Sequence, residues 1–252
     1  MPVLSSELVA YASASMPEDD TSSNGGAIDD LTRVTFTDLA SNAALEALSD
    51  NAGDTMNLTL RGRDAGGEIQ SETAALTGTS VVSFSTLGTL ERFLSGLLAS
   101  APAGNVTIRV AGGGATIAVI PAGETGVRRL FIEAFSVVGS AKTYYEKIFL
   151  KNNNATLSLT NAAVVESADP GANINFLLAA AVDDSATSTN RLTVPNAADT
   201  LDPDTFGDAS VGVPGGSLAA DEAIGVWVRM SLTDGQSPAK NTWSVQLSGT
   251  ST

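Results

Sequence analysis

Residues 56–72 read MNLTLRGRDAGGEIQSE, and the first half of that stretch alternates apolar and polar side chains at Met56, Leu58 and Leu60. Period two is the repeat of a strand with one buried face, because successive side chains of an extended chain point to opposite sides. Arg63-Asp64-Ala65-Gly66-Gly67 then supplies turn residues before Glu68-Ile69-Gln70-Ser71-Glu72, so the stretch predicts a β-hairpin. The same grammar recurs downstream. Val106, Ile108 and Val110 alternate, Gly112-Gly113-Gly114 permits a reversal, and Thr116-Ile117-Ala118-Val119-Ile120 runs back until Pro121 ends it.

Working outward, Val127 to Val138 and Thr143 to Leu150 are rich in β-branched and aromatic residues with no internal proline, and both read as strands. In the second, Tyr144, Glu146, Ile148 and Leu150 share one face and Tyr145, Lys147, Phe149 and Lys151 the other, with the lysine face expected to be the wetter. Lys151-Asn152-Asn153-Asn154 predicts a turn into Ala155-Thr156-Leu157-Ser158-Leu159 and a further hairpin. Asn173 to Val182 is apolar enough for a buried strand. Ile224 to Leu232 and Asn241 to Leu247, joined by Thr233 to Pro238, read as a closing hairpin that carries Trp227 and Trp243, both expected to pack in the core or at its rim.

Two segments break the pattern. Leu87, Leu90, Phe93, Leu94, Leu97 and Leu98 recur at helical spacing, which predicts a short amphipathic helix over Thr86 to Ser100, although Gly88 and Gly96 weaken it. A second helix is expected over Thr37 to Leu48, with Thr37 as cap of an Ala/Leu-rich run. The sequence therefore predicts a mainly β fold with one or two short helices and an extended N-terminal arm. Expected divisions are the arm at 1–30, a main β domain at 31–182, and an acidic loop with the C-terminal hairpin at 183–252.

The chain holds 28 acidic and 13 basic residues, for a formal net charge of −15, with no histidine and no cysteine. Without imidazole or thiolate it lacks the usual activator of a serine nucleophile and the nitrogen and sulfur ligands that hold zinc, copper or iron. Neither an enzyme nor a cofactor or metal protein is expected. Glu68 with Glu72, or Glu133 with Glu146, are the carboxylate pairs to nominate if glycosidase chemistry were present, but 5% aromatic content is low for a sugar cleft. Asp202, Asp204 and Asp208 crowd three carboxylates into seven residues as a hard cation would require, yet Phe206 replaces an oxygen ligand and no bidentate glutamate follows. Gly112-Gly113-Gly114 is not followed by Lys-Ser/Thr, so it is no phosphate cradle.

The charge is unevenly spread. Residues 1–54 contain ten acids and a single base, Arg33, and residues 183–222 eight acids and Arg191 alone, while 55–182 balance nine against nine. Such acidity repels a phosphate backbone, and no basic stripe compensates it, so nucleic acid is not an expected partner. No apolar run approaches the ~20 residues that span a bilayer, and the first twenty residues lack a basic leader, so neither membrane insertion nor a cleaved signal is expected.

Two passages, Asn57 to Thr79 (NLTLRGRDAGGEIQSETAALTGT) and Tyr144 to Val165 (YYEKIFLKNNNATLSLTNAAVV), resemble segments of β-rich structural proteins of tailed-bacteriophage virions. There a G-D-x-x-G-x-x-x-x-E-x-x-x-L-x-G-T rhythm precedes a strand and an N-N-x-A-T-L-x-x-T-N turn; here Arg63 stands between Gly62 and Asp64. The likeness covers about the middle hundred residues. It implies an antiparallel β-sandwich or jelly-roll-like body and carries over no catalytic or cofactor residue. The expected role is a capsid cement or decoration protein, made in the host cytoplasm and placed on the capsid exterior. Its expected partners are the major capsid protein and copies of itself, in a homo-oligomer such as a trimer. A tail, neck or baseplate component is the rival within the virion, and a carbohydrate-binding or adhesive surface module the rival outside it. Composition nominates Pro2, Val3, Leu4 and Tyr11 of the arm and Leu201, Phe206, Val211 and Val213 of the acidic loop as assembly contacts.

Overall fold

The computed structural model describes residues 2–16, 23–168, 173–193, 206–235 and 242–251. Its contacts divide the chain into one unit of residues 1–29 with 130–252 and another of 30–129. The fold is mainly β, in several largely antiparallel sheets, with no α-helix among the described residues.

Unit two holds the stretch read first. Strands β4 (Asn57–Asp64) and β5 (Ile69–Ala75) form the predicted hairpin in unbroken register, from Asn57 opposite Ala75 to Arg63 opposite Ile69. Beyond β4 lie β7 (Leu90–Leu98) and the short β10 (Gly126–Arg128), which pairs in parallel with Thr32, Arg33 and Val34 of β2 (Gly25–Val34). A second sheet runs β6 (Val82–Ser83), β3 (Leu45–Ser49), β8 (Val106–Val110) and β9 (Thr116–Ile120), and contains the predicted Val106–Ile120 hairpin. Leu58, Leu60, Phe93 and Val127 of the first sheet and Leu45, Ile108, Ile117 and Ile120 of the second form one buried cluster. At Gly96 a Cβ would lie 2.6 Å from Ile108 Cδ1, so the sheets meet here at glycine distance.

The helix expected over Thr86 to Ser100 is strand β7. Two bulges opposite Arg61/Gly62 and Arg63/Asp64 each insert an extra residue in β7, so its core-facing positions fall at Leu90, Phe93, Gly96 and Leu98. A spacing of three, three and two imitates a helical stripe. The helix expected over Thr37 to Leu48 is also absent: residues 37–44 are irregular and Leu45–Ser49 pairs with β8 as β3. Ala and Leu favour helix locally, and burial between two strands outweighs that preference.

In unit one, β11 (Lys142–Asn152) lies between β1 (Leu8–Ser15) and β16 (Ala223–Leu232), and β13 (Ile174–Val182) pairs with the far side of β16. A separate sheet centres on β12 (Leu159–Ala168), with β17 (Ser244–Ser251) on one side and the two-residue β14 (Val211–Gly212) and β15 (Ser217–Leu218) on the other. Several expectations are corrected here. Much of the predicted arm is ordered strand, because Val9, Tyr11 and Ala12 are buried along β1. The strand expected from Val127 to Val138 stops at Arg128, and residues 129–141 are turns and irregular chain. Neither of the last two predicted hairpins forms: β11 and β12 belong to different sheets, as do β16 and β17.

Candidate functional site

Lys147 overturns the expectation of a wet lysine face. Its side chain is wholly buried, and Nζ donates to the carbonyl oxygens of Gly26, Asp184 and Ala186 at 3.2, 2.7 and 3.0 Å. The ammonium also lies 3.8 Å from the Asp184 carboxylate and over the rings of Phe149 and Trp227. Gly225 makes room for this stem, since a Cβ there would sit 2.6 Å from Lys147 Cε. Beside it Asn24 is fully buried, donating to the Tyr145 carbonyl and accepting from the Ser188 hydroxyl. The next residue of β11, Glu146, pairs at 2.7 Å with Arg191, both side chains buried, and accepts from the Phe131 amide at 2.7 Å. Tyr145 N donates to the Arg191 carbonyl. Residues 184–191 are thus strapped to β11 by charged side chains of opposite sign on adjacent residues. Burial pushes the Tyr145 hydroxyl above its ordinary pKa.

An ammonium whose protons are directed at three carbonyls is a clamp; it offers no lone pair for nucleophilic work. Lys147→Met, which keeps the stem and leaves three carbonyls without their donor, is expected to lower stability by about 2 kcal/mol. Urea unfolding followed by tryptophan fluorescence measures this directly, because Trp227 and Trp243 both lie in unit one.

The nominated contact residues separate by burial. Pro2 and Leu4 are exposed, Val3 half-buried. Leu4 is held in place, its amide donating at 2.6 Å to Glu7, whose other carboxylate oxygen accepts from Asn154. The Leu4 amide and then the Asn154 amide hold the Glu7 carboxyl below its ordinary pKa. Tyr11 is interior, with its hydroxyl accepting from Asn153. Phe206 is interior too, edge-on to Tyr145 with ring centroids 5.6 Å apart and clustered with Trp227. Val213 is buried beside β12, while Val211 remains exposed. Phe206 and Val213 anchor their loops and Tyr11 packs along β1, and interior side chains cannot meet a partner. Leu201, Asp202 and Asp204 lie outside the described residues; Asp208 is exposed. Among the described residues no three acidic side chains converge to hold a metal ion. Of the nominated carboxylate pairs, Glu72 accepts from the Leu87 amide and Glu146 is bound to Arg191.

A surface that sequence reasoning missed lies in residues 131–141. Val138 is 88% exposed and Phe135 50%, at and beside the tip of a turn closed by the Val137 and Ser140 bridge. The turn is braced at its base. Tyr144 Oη donates to the Phe135 carbonyl at 3.0 Å, Lys142 Nζ stands 4.2 Å over the Phe135 ring, the Asp234 carboxylate accepts from Gly139 N, and Gly235 N donates to the Val137 carbonyl. The signal was present in consecutive apolar residues, Val137-Val138, followed by Gly139-Ser140: they break the period-two pattern and end on turn residues. Large side chains held rigidly in water lose little entropy on burial against another surface. Comparison with protein-family models, with curated proteins and with solved structures finds no match to this chain.

Proposed function

We propose that this chain is a non-enzymatic structural protein of a tailed-phage virion, a cement or decoration protein that binds the outer surface of the head and stabilises contacts between major capsid subunits. The observation that supports it best is the braced turn presenting Phe135 and Val138 on a β scaffold whose buried charges fasten loops in place. Acidity fits an exterior position, away from packaged DNA. A composite site exists only on the assembled lattice, so binding there stabilises the shell by mass action. Trp227 and Trp243 are both buried, which removes the two side chains best suited to stack on a sugar and weakens the carbohydrate-binding alternative.

The test is co-sedimentation of the purified protein with expanded phage heads. Val138→Asp is expected to weaken association at least about tenfold, since it deletes an apolar contact and places a charge in the interface, while leaving the thermal unfolding of the free protein unchanged. Failure of the wild type to associate with heads, or its labelling at the tail tip, would refute the reading.

A further inference from the structure

The edges of the described sheets are not equally protected. The outer side of β13 carries a bridge in which Phe176 and Gly207 exchange both backbone hydrogen bonds, and its register shifts between Leu178 and Val182. Strand β17 has two register shifts against β12, and β9 is five residues long and followed by Pro121. Strand β5 has none of these devices. It is seven residues long, pairs with β4 without a bulge, contains no lysine or proline, and exposes Ser71, Thr73 and Ala75. A regular edge of this kind is a template for another strand.

The ladder fixes which backbone groups it offers. Asp64 N donates to the Glu68 carbonyl and Leu76 N to the Met56 carbonyl, so even-numbered residues of this strand bond to β4. By the alternation of an antiparallel ladder, the N–H and C=O groups of Ile69, Ser71, Thr73 and Ala75 point the other way, along an edge that carries no further strand among the described residues. We propose that this edge pairs antiparallel with the same edge of a second copy of the chain, about a two-fold axis at Ser71. In that register Ser71 faces Ser71 of the second copy, Ile69 faces Thr73, and Gln70 faces Glu72. Shifting the axis to Glu72 would set two glutamates directly opposite one another, which disfavours it. The contact is isologous and closes at two copies. It goes beyond the capsid reading and stands independently of it.

Sedimentation equilibrium at tens of micromolar is expected to give twice the 25.5 kDa chain mass. Hydrogen exchange is expected to show the Ser71 and Thr73 amides protected in the dimer, although neither donates within its own hairpin. Ser71→Pro removes an N–H used only between copies, and Thr73→Lys places a charge on the edge. Each is expected to raise the dimer dissociation constant at least about tenfold and to expose both amides, with far-UV circular dichroism unchanged. A wild type that remains monomeric, a dimer that survives both substitutions, or assembly into trimers would overturn the proposal. Binding of the monomeric variants to phage heads is a separate readout, so loss of the dimer and loss of the capsid role are told apart.

Discussion

Arg191→Met is expected to lower the stability of the unit that holds it by about 3–5 kcal/mol, because it strands the Glu146 carboxylate without its cation in the interior. Both side chains are fully buried and meet at 2.7 Å, and the guanidinium also lies 5.9 Å from the Tyr144 ring centroid. Methionine fills much of the same volume, so the loss reports charge and hydrogen bonding more than a cavity. The Arg191 carbonyl still accepts from Tyr145 N, which keeps the strap in place and confines the effect to the pair. Pairing the change with Glu146→Gln isolates that effect. The neutral amide still offers an oxygen to Phe131 N, and the double variant is expected to recover more than half of the loss, because the uncompensated charge is gone. Urea unfolding read by tryptophan fluorescence supplies all four corners of the cycle. A single-variant loss below about 1 kcal/mol, or no recovery in the double variant, would show that the pair is not held as described.

The readable parts of the sequence were those in which one residue's neighbours in the chain are also its neighbours in space. Both hairpins of unit two were legible for that reason, since turn residues and alternating runs lie within twenty residues of each other. Strand β7 was misread because two bulges in its pairing with β4 changed its period, and that register is shared with another strand. Lys147 was misread because its partners, Gly26, Asp184 and Ala186, are far away in sequence, and nothing local distinguishes a lysine clamped by three carbonyls from one in water. The first thirty residues were misjudged similarly: β1 is weakly apolar on its own and is stabilised by pairing Leu8 to Ala12 with Ile148 to Asn152. Of the nominated contacts, hydrophobicity picked Tyr11, Phe206 and Val213 because apolar side chains in acidic segments look out of place. The structure places all three inside, fastening those segments down.

Acid is expected to unfold unit two first, with Asp54 as a principal cause. Its carboxylate, itself buried, accepts from the Ser49 hydroxyl at 2.6 Å and from the amides of Ala103 and Gly104 at 2.8 and 3.0 Å, tying the end of β3 to the loop before β8. The Ser49 hydroxyl and then these two amides hold its carboxyl below the ordinary aspartate pKa, against burial, which acts the other way. Glu46 is lowered chiefly by the Gly112 amide, with Gly113 and Arg109 adding to it, and Asp64 chiefly by the Gln70 side chain and the Glu68 amide. Each group therefore takes up its proton in the unfolded chain at a higher pH than in the folded one. Their contribution to stability is complete above the unfolded carboxylate range, near pH 4–5, and is lost as pH falls through that range toward the lower folded values. Asp54→Asn replaces one accepting oxygen with an amide nitrogen facing the Gly104 N–H, and is expected to cost about 3 kcal/mol at neutral pH. The variant's stability is also expected to fall less steeply below pH 5, since one of the three titrating groups is gone. Unit two contains neither tryptophan nor tyrosine, so far-UV circular dichroism that falls before the tryptophan signal changes would assign the acid transition to it. Coincident loss of both signals, or an unaltered acid slope in Asp54→Asn, would show that these carboxylates do not set the acid limit.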